Sequence, residues 1–370
     1  MKLLVSILLT VTFLGNISAA EIIQDVQITS KAKVISATEI ASEVLPGLTT
    51  ETKRQKITAI FLEGEDKNRT VSFENDYTQL ETGDLFFLTK TTSGHDGSIM
   101  YAMSEPDRLP TIYFFTALFV LLVIIFGGRQ GIRGLVSLIG SLLLILYVLI
   151  PSILHGYSPI LVSVGVASLI IILGSYVTHG FNKTTTAAVF GMITTVICSG
   201  ILAYYATHSA RLSGFANEEA VYLNFNTRGT IDFVGLLLGG MLIGLLGVLY
   251  DAAIGQAIAV EELYRAGISS KKEVYARALR IGKEHIGALV NTLAIAYVGV
   301  SLPLLLLFSM SDSPVLHIIN REVFATELIR TMVGSIGLVL AVPLTTLIAT
   351  LMLMGSKYDK TSNHSHGHSH

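Results

Sequence analysis

The chain has 370 residues, of which 51% are hydrophobic and 14% are charged, and its formal net charge at pH 7 is −2. Soluble domains carry about 25% charged residues, so this composition excludes a soluble enzyme and a disordered chain. The balanced charge gives no basic signature for nucleic acid, and the single cysteine, Cys198, excludes a disulfide framework. The composition predicts a polytopic membrane protein whose main partner is the lipid bilayer.

Residues 1–20 have the pattern of a signal peptide. Lys2 supplies the positive charge, an apolar run covers 3–14, and Ser18-Ala19-Ala20 forms a small-residue cleavage site. The alternative is an uncleaved first transmembrane helix, but the run is shorter than the about 20 residues that a crossing needs. Both interpretations deliver the following segment to the outer face of the membrane.

Residues 21–110 are predicted to form an exported β domain. Runs with β-type composition recur and are separated by turn-forming residues, at 26–35, 57–62, 70–73, 85–89 and 98–103. Five short strands in this length suit an OB-like barrel or a small sandwich.

From residue 111 to residue 355 the sequence predicts an all-α membrane domain with seven spans, at 111–127, 134–150, 159–177, 186–206, 231–258, 287–308 and 333–353. With the β domain outside, eleven lysines and arginines fall on the inner side and four in the outer loops. This agrees with the positive-inside rule. We therefore predict a multi-pass cell-membrane protein whose C-terminal tail, 356–370, is cytoplasmic.

The fifth predicted span carries a carboxylate, Asp251, in an otherwise uncharged stretch. An ionised carboxylate in hydrocarbon costs about 2.5–3.5 kcal/mol, so it should be paired, hydrated or protonated. Small residues let a neighbouring helix approach closely, and we interpret the glycines around Asp251 as a packing face that points into the bundle. They are Gly235, Gly239, Gly240, Gly244, Gly247 and Gly255. The alternative is that Asp251 marks the hydrated cytoplasmic end of the span.

The sixth predicted span offers partners for this carboxylate. Asn291 and Thr292 fall near the depth of Asp251 if the two helices are antiparallel neighbours. Amides and hydroxyls there can bond a protonated acid or line a file of water. The same residues also serve as interhelical hydrogen-bond donors worth about 0.6 kcal/mol each. The segment before them, 261–284, is predicted to be an amphipathic helix on the inner membrane surface, with Gly267 as a break.

The C-terminal tail alternates histidine with serine or glycine. Four imidazoles at alternate positions can chelate Zn²⁺ or Ni²⁺, and they belong to His364, His366, His368 and His370. No other cofactor is predicted. The sequence has no phosphate-binding glycine loop, no zinc-protease motif and no nucleophile elbow, so we do not expect an enzyme.

Several short stretches resemble the YibE/F family of bacterial membrane proteins over residues 105–355. They include Gly127-Gly128-Arg129-Gln130-Gly131, Gly247-Val248-Leu249-Tyr250-Asp251 and Asn291-Thr292-Leu293-Ala294-Ile295-Ala296-Tyr297. Residues 240–353 are also similar, more weakly, to the SecD/SecF membrane module, a relative of the RND transporters. That similarity implies that Asp251 passes protons to drive the exported domain, with Asn291 and Thr292 as neighbours. It also implies that one half-module pairs with a second copy or with a paralogous membrane partner.

These observations lead to a proton-coupled transporter or export-assisting protein as the first functional hypothesis. A non-transporting envelope scaffold that binds a partner through its exported domain is the second. A divalent-metal permease with a histidine-rich tail is the third. The sequence names no substrate.

Overall fold

The computed structural model describes residues 25–43, 52–76 and 78–354. The predicted signal peptide and the histidine-rich tail lie outside these ranges. The chain divides into two compact units, with the boundary between Phe119 and Val120.

The first unit contains an antiparallel β-sheet. The strands that the structure describes are β1 (Val26–Glu43), β2 (Thr52–Phe61), β3 (Thr70–Asn75), β4 (Leu85–Thr92) and β5 (Ile99–Pro106). Their order is β3-β2-β1-β4-β5, and the edge strands β3 and β5 approach each other without pairing. The sheet therefore curls into a half-barrel. The predicted β domain is confirmed at this level, and its OB-like character stays a prediction.

Alternating side chains fill the inside of this half-barrel. β3 alternates exposed and buried residues along its whole length. Ala32 on β1 is paired with Phe61 on one side and with Phe86 on the other, and all three are buried. A small residue between two large ones lets the two rings share the interior, which is how a tightly curved sheet of this size forms a core.

The turn between β4 and β5 gives a first testable prediction. Asp96 accepts hydrogen bonds from the Ser98 hydroxyl at 2.7 Å and from the Ser98 N–H at 3.0 Å. Chiefly because of the Ser98 hydroxyl, the pKa of Asp96 falls to about 2. An unfolded aspartate has a pKa of about 3.9, so this stabilisation is complete above about pH 4 and is lost as the pH falls towards 2.

We therefore expect Asp96→Ala to speed hydrogen exchange in β4 and β5 at pH 6 and to have a much smaller effect near pH 2. Hydrogen exchange of the full chain in detergent, followed by mass spectrometry, measures both conditions. Asp76→Ala, at an exposed carboxylate after β3, is the matched control. The same effect of Asp96→Ala at both pH values would contradict the assignment.

The remainder of the described chain is helical. A long helical run consists of α1 (Leu109–Leu144), a π-helical turn (Ile145–Leu149) and α2 (Ile150–Leu154). The later helices are α3 (Pro159–His179), α4 (Lys183–Ser209), α5 (Glu218–Asn226), α6 (Phe233–Arg265), α7 (Lys271–Val300), α8 (Leu302–Ser309), α9 (Val315–Asn320) and α10 (Glu322–Leu353). Polar side chains cap several N-termini. Asn182 accepts from the N–H of Thr185 before α4, and Asp232 accepts from that of Gly235 at the start of α6.

The core of the second unit forms where α3, α4, α6, α7 and α10 pack together. α4 and α10 are antiparallel and approach closely at two glycines. A Cβ at Gly191 would lie 2.3 Å from the Thr345 hydroxyl oxygen, and one at Gly337 would lie 2.3 Å from that of Ser199. Where α6, α7 and α10 meet, the Thr346 hydroxyl donates to the buried Gln256 at 2.8 Å.

Five helices in the described residues are long and apolar enough to cross a membrane, or six if a bent pair counts as one span. The bent pair is α7 with α8, which meet at 64°. The prediction of seven spans is not confirmed, because the first two predicted spans lie in one run, Leu109–Leu154. The predicted amphipathic segment at 261–284 is divided at its predicted break, Gly267, into the end of α6 and the start of α7, and its position on the membrane surface stays a prediction. α6 continues to Arg265, the chain turns at Gly267 with a φ of 93°, and α7 runs without a break from Lys271 through the sixth predicted span.

Candidate functional site

Helix α6 carries the candidate site. Between Phe233 and Val260 the sequence has one charged residue, Asp251. These 28 residues are about 42 Å long at 1.5 Å per residue, somewhat more than the about 30 Å hydrocarbon core of a bilayer. Asp251 lies about four residues beyond the middle of this stretch.

Two of the predicted packing glycines lie against α3. A Cβ at Gly239 would be 2.3 Å from the hydroxyl oxygen of Ser163, and one at Gly235 would be 3.3 Å from the ring of Pro159. Both glycines are buried. The later residue of α3, Ser163, meets the later glycine of α6, Gly239, so the two helices run in the same direction and are parallel neighbours.

The glycines around Asp251 lie on a different face. Gly240, Gly247 and Gly255 are exposed, as is Asp251, and a Cβ on any of these glycines would meet nothing within 4 Å. The sequence interpretation put all of these residues on one inward face. A four-residue step advances 400° around a helix, so the row rotates by about 40° at each step. From Gly235 to Asp251 there are four such steps, a rotation of about 160°. Gly235 therefore faces α3, whereas Asp251 faces an open side of the bundle.

Helix α7 borders this open face, which we call the Gly240–Gly255 face. A Cβ at Gly282 of α7 would lie 2.6 Å from Nε2 of Gln256, and a Cβ at Gly244 would lie 2.8 Å from the hydroxyl oxygen of Tyr297. α6 and α7 are therefore antiparallel, and Asp251 falls between these two contacts.

The predicted partners Asn291 and Thr292 lie in the corresponding interval of α7. Both are exposed, and the Thr292 hydroxyl donates to the carbonyl of Ala288 in its own helix at 2.9 Å. The hydrogen of this hydroxyl is therefore in use, which leaves its oxygen as an acceptor. Asn291 has an amide that can both donate and accept at the same level along α7, but it lies about 180° around the helix from Gly282, which contacts α6, so the structure does not bring it together with Asp251.

A second charged group was missed by the sequence interpretation. Glu327 and Arg330 of α10 form an ion pair at 3.0 Å, with side chains 26% and 29% exposed. Glu327 lines a cavity of about 70 Å³ together with Tyr297, Ser301 and Thr331. The predicted last span began at residue 333 and left the pair in a loop. Its Glu-x-x-Arg spacing, which suits one face of a helix, was the available signal.

Near the C-terminal end of α6, Glu261 connects this helix to α4. Its carboxylate accepts from the hydroxyl of Thr184 at the start of α4 and from Arg265 one turn along α6, both at 2.5 Å. These contacts fix the start of α4 against the end of α6. They give this carboxylate a structural role.

No three His, Cys, Asp or Glu side chains in the described residues are placed to hold a metal ion. The four tail histidines, His364 to His370, lie beyond residue 354, outside the described part of the chain. Zinc or nickel binding by this tail stays a prediction.

A family model described as YibE/F-like protein matches residues 115–355. No curated protein and no solved structure matches the chain. The similarity of residues 240–353 to the SecD/SecF module is not shown by these comparisons.

Proposed function

The chain belongs to the YibE/F-like family, and from this premise we propose that it is a multi-pass transporter or export-assisting protein that uses proton movement. Asp251 is the group that takes up and releases the proton. No cofactor is required for this role.

The observation that carries this proposal is the position of Asp251 on the Gly240–Gly255 face. It is the charged residue of a 28-residue apolar stretch, and it is open to its surroundings and not held in an ion pair within the described chain. Putting an ionised carboxylate in the hydrocarbon of the membrane costs about 2.5–3.5 kcal/mol. Taking up a proton removes that penalty, so the protonation state can bias how this face packs.

A second copy of the chain, or a paralogous membrane protein, covers this face in the proposed assembly. Open glycines favour close approach of another helix, because they allow backbone atoms to come into van der Waals contact. Contact between the chains would place Asp251 at an interface, where its change of charge acts on both partners.

The direction of the helices supports seven crossings and an exported β domain. α3, α6 and α10 start on one side of the bundle, and α4 and α7 start on the other, which carries Lys183, Arg265, Lys271, Lys272 and Arg277. By the positive-inside rule this basic side is cytoplasmic. In the proposed orientation the C-terminal tail is inside the cell.

For the chain to cross seven times, the first helical run, Leu109–Leu154, must reverse its direction and cross twice. Its 46 residues extend about 69 Å if straight, more than twice the hydrocarbon core. Gly128 has a φ of 52° and a ψ of −136°, and a Cβ at Gly131 would lie 2.3 Å from the carbonyl oxygen of Val123. In a straight helix these two residues would be about 12 Å apart. A reversal here supports the second crossing of the proposed topology, in which the β domain is exported.

Proton flux through proteoliposomes tests the proposal. We expect Asp251→Asn to lower the flux driven by an imposed pH gradient at least tenfold, because the amide cannot carry a proton. Glu262→Gln, an exposed carboxylate on the same helix, removes one charge and should leave the flux unchanged. Equal flux in wild type and Asp251→Asn, or no flux through the wild type, would refute the relay.

The second candidate function is a non-transporting scaffold that binds a partner through the β half-barrel. Exposed apolar residues on β1 and β5 favour it, because a partner could cover them. Val26, Ile28, Ile99 and Met100 are all exposed, and Met100 is 70% exposed. A partner-binding scaffold predicts that deleting residues 21–110 abolishes activity in cells while Asp251→Asn leaves it intact. The proton relay predicts that activity in cells is lost both in the deletion variant and in Asp251→Asn.

A further inference from the structure

A groove runs between the second half of the first helical run and α3. Its volume is about 640 Å³, within the range of about 300–1,000 Å³ that is typical of ligand pockets. The two helices are in contact near both of its ends. A Cβ at Gly174 would lie 2.9 Å from the Ser137 hydroxyl oxygen, and Leu149 of the π-helical turn belongs to the same buried cluster as Val166. The later residue of the first run thus meets the earlier residue of α3, so the two helices are antiparallel.

The walls of this groove suit a hydrocarbon chain. Most of the lining side chains are apolar, and several of them, such as Leu143 and Leu173, are exposed at the rim. Of the two serines in the walls, Ser141 donates its hydroxyl hydrogen to the carbonyl of Ser137 in its own helix at 2.9 Å. A chain of methylenes can pack against such walls, whereas a polar ligand would lose its hydrogen bonds to water without replacing them.

The groove has about the length of one membrane leaflet. Its lining on the first run extends from Val136 to Val148, which corresponds to about 18 Å at 1.5 Å per residue. The hydrocarbon core of a bilayer is about 30 Å thick, so one leaflet contributes about 15 Å. One acyl chain of a phospholipid therefore matches the groove from end to end.

Two arginines lie beyond one end of the groove. Arg133 precedes Ser137 by four residues and shares its helix face, and Arg129 lies one turn earlier. Both arginines are exposed, and neither forms an ion pair within the described chain. Helical side chains point back towards the start of their helix, so Arg133 reaches away from the groove towards the basic side of the bundle, where α3 ends and α4 begins. An anionic headgroup at this end would meet a charge of opposite sign.

We infer that this groove binds one anionic phospholipid, with an acyl chain between the two helices and the phosphate at Arg133. The guanidinium group donates two parallel hydrogen bonds to the phosphate oxygens, which fixes the headgroup as well as attracting it. The bound chain completes the packing of the first run against α3. The site is separate from Asp251, so its failure would leave the proposed function unaffected.

Native mass spectrometry of the full chain in detergent tests the inference with phosphatidylglycerol as the probe. We expect one molecule to bind more tightly than any further copies. Gly140→Leu places a side chain in the groove, where an added Cβ meets nothing within 4 Å, and should lower the affinity for that molecule at least fivefold. Gly165→Leu on α3 is the matched control, because its Cβ is equally free but lies outside the groove. Equal affinities in the two variants would overturn the inference.

A second pair of variants tests the headgroup, with phosphatidylcholine of the same acyl chains as the neutral probe. Arg133→Gln should reduce the preference for phosphatidylglycerol about fivefold, the effect of one cation beside an anionic lipid. Arg280→Gln removes an exposed cation of α7 and should keep the preference. Wild type without a preference would show that the groove takes lipids of any charge. Equal losses in the two arginine variants would show a general attraction to the basic side, and either result refutes the site.

A second copy of the chain is the other possible occupant. In that case Gly140→Leu would lower the dimer fraction in the same spectra and leave phosphatidylglycerol bound as in wild type, which contradicts the inference. Ser141→Leu fills the groove at the next lining position and should weaken lipid binding as Gly140→Leu does. Thermal unfolding without added lipid identifies which of the two variants is folded, and wild-type affinity in a folded variant also contradicts the inference.

Discussion

Replacing Gly191 by alanine is expected to destabilise the helical unit by up to about 2 kcal/mol. The added Cβ would lie 2.3 Å from the Thr345 hydroxyl oxygen and 2.9 Å from the Thr345 Cα. Because a backbone atom is in the way, α4 and α10 must separate, and overpacking of this kind costs about 1–3 kcal/mol. The better helix propensity of alanine offsets only about 1 kcal/mol of that cost.

Thermal unfolding in detergent measures this effect, and the single cysteine offers a reporter. Cys198 lies on α4 and is partly buried, so its reaction with a thiol-reactive fluorophore should increase on unfolding. Gly165→Ala on α3 is the control, because a Cβ there meets nothing within 4 Å. It should leave the midpoint unchanged or raise it. A Gly191→Ala midpoint equal to that of Gly165→Ala would show that the helices do not approach as described.

Gly337 provides an internal comparison at the same interface. The atoms nearest to its added Cβ are the Ser199 hydroxyl oxygen at 2.3 Å and the Leu245 Cδ2 at 2.9 Å. Both are side-chain ends, which can shift or be removed, whereas the Thr345 Cα cannot. Ser199→Ala should therefore recover part of the stability lost in Gly337→Ala. The distinction depends on which atoms lie opposite each glycine, and this cannot be read from the sequence.

The sequence predicted those features that depend on local pattern. The five β-type runs became five strands of the described chain, because alternation of apolar residues determines which face is buried. The apolar spans were recognised because a membrane crossing needs a continuous uncharged stretch. Turn positions such as Gly267 were also predicted correctly, since a φ of 93° favours glycine.

Features that depend on how helices meet were not predicted. Spacing alone placed the glycines of α6 on one face, but the small rotation at each four-residue step divides them between α3 and the open side. The pair of Glu327 and Arg330 was missed because charged residues were taken to mark the end of a span. Within α10 the two side chains compensate each other at 3.0 Å, which lowers the cost of carrying them into an otherwise apolar helix.

The loop after α4 should be even less tolerant of change than the α4–α10 interface. Gly214 has a φ of 84°, and a Cβ there would lie 2.4 Å from the carbonyl oxygen of Phe233, the first residue of α6. The loop cannot move aside easily, because Glu322 at the start of α10 accepts hydrogen bonds from the N–H groups of Ser213 and Gly214, at 2.7 and 3.0 Å. This loop therefore joins the starts of two core helices.

We expect Gly214→Ala to cost about 2–5 kcal/mol, the sum of about 1–2 kcal/mol for the left-handed backbone and about 1–3 kcal/mol for the clash with Phe233. Gly229→Ala separates these two contributions. Gly229 has a φ of 73°, but the nearest atom to its added Cβ is 3.7 Å away, so it should lose only the backbone part. Thermal unfolding of the two variants in detergent gives the difference. Equal losses would mean that the Phe233 carbonyl does not confine this loop, and that the starts of α6 and α10 are held together by other contacts.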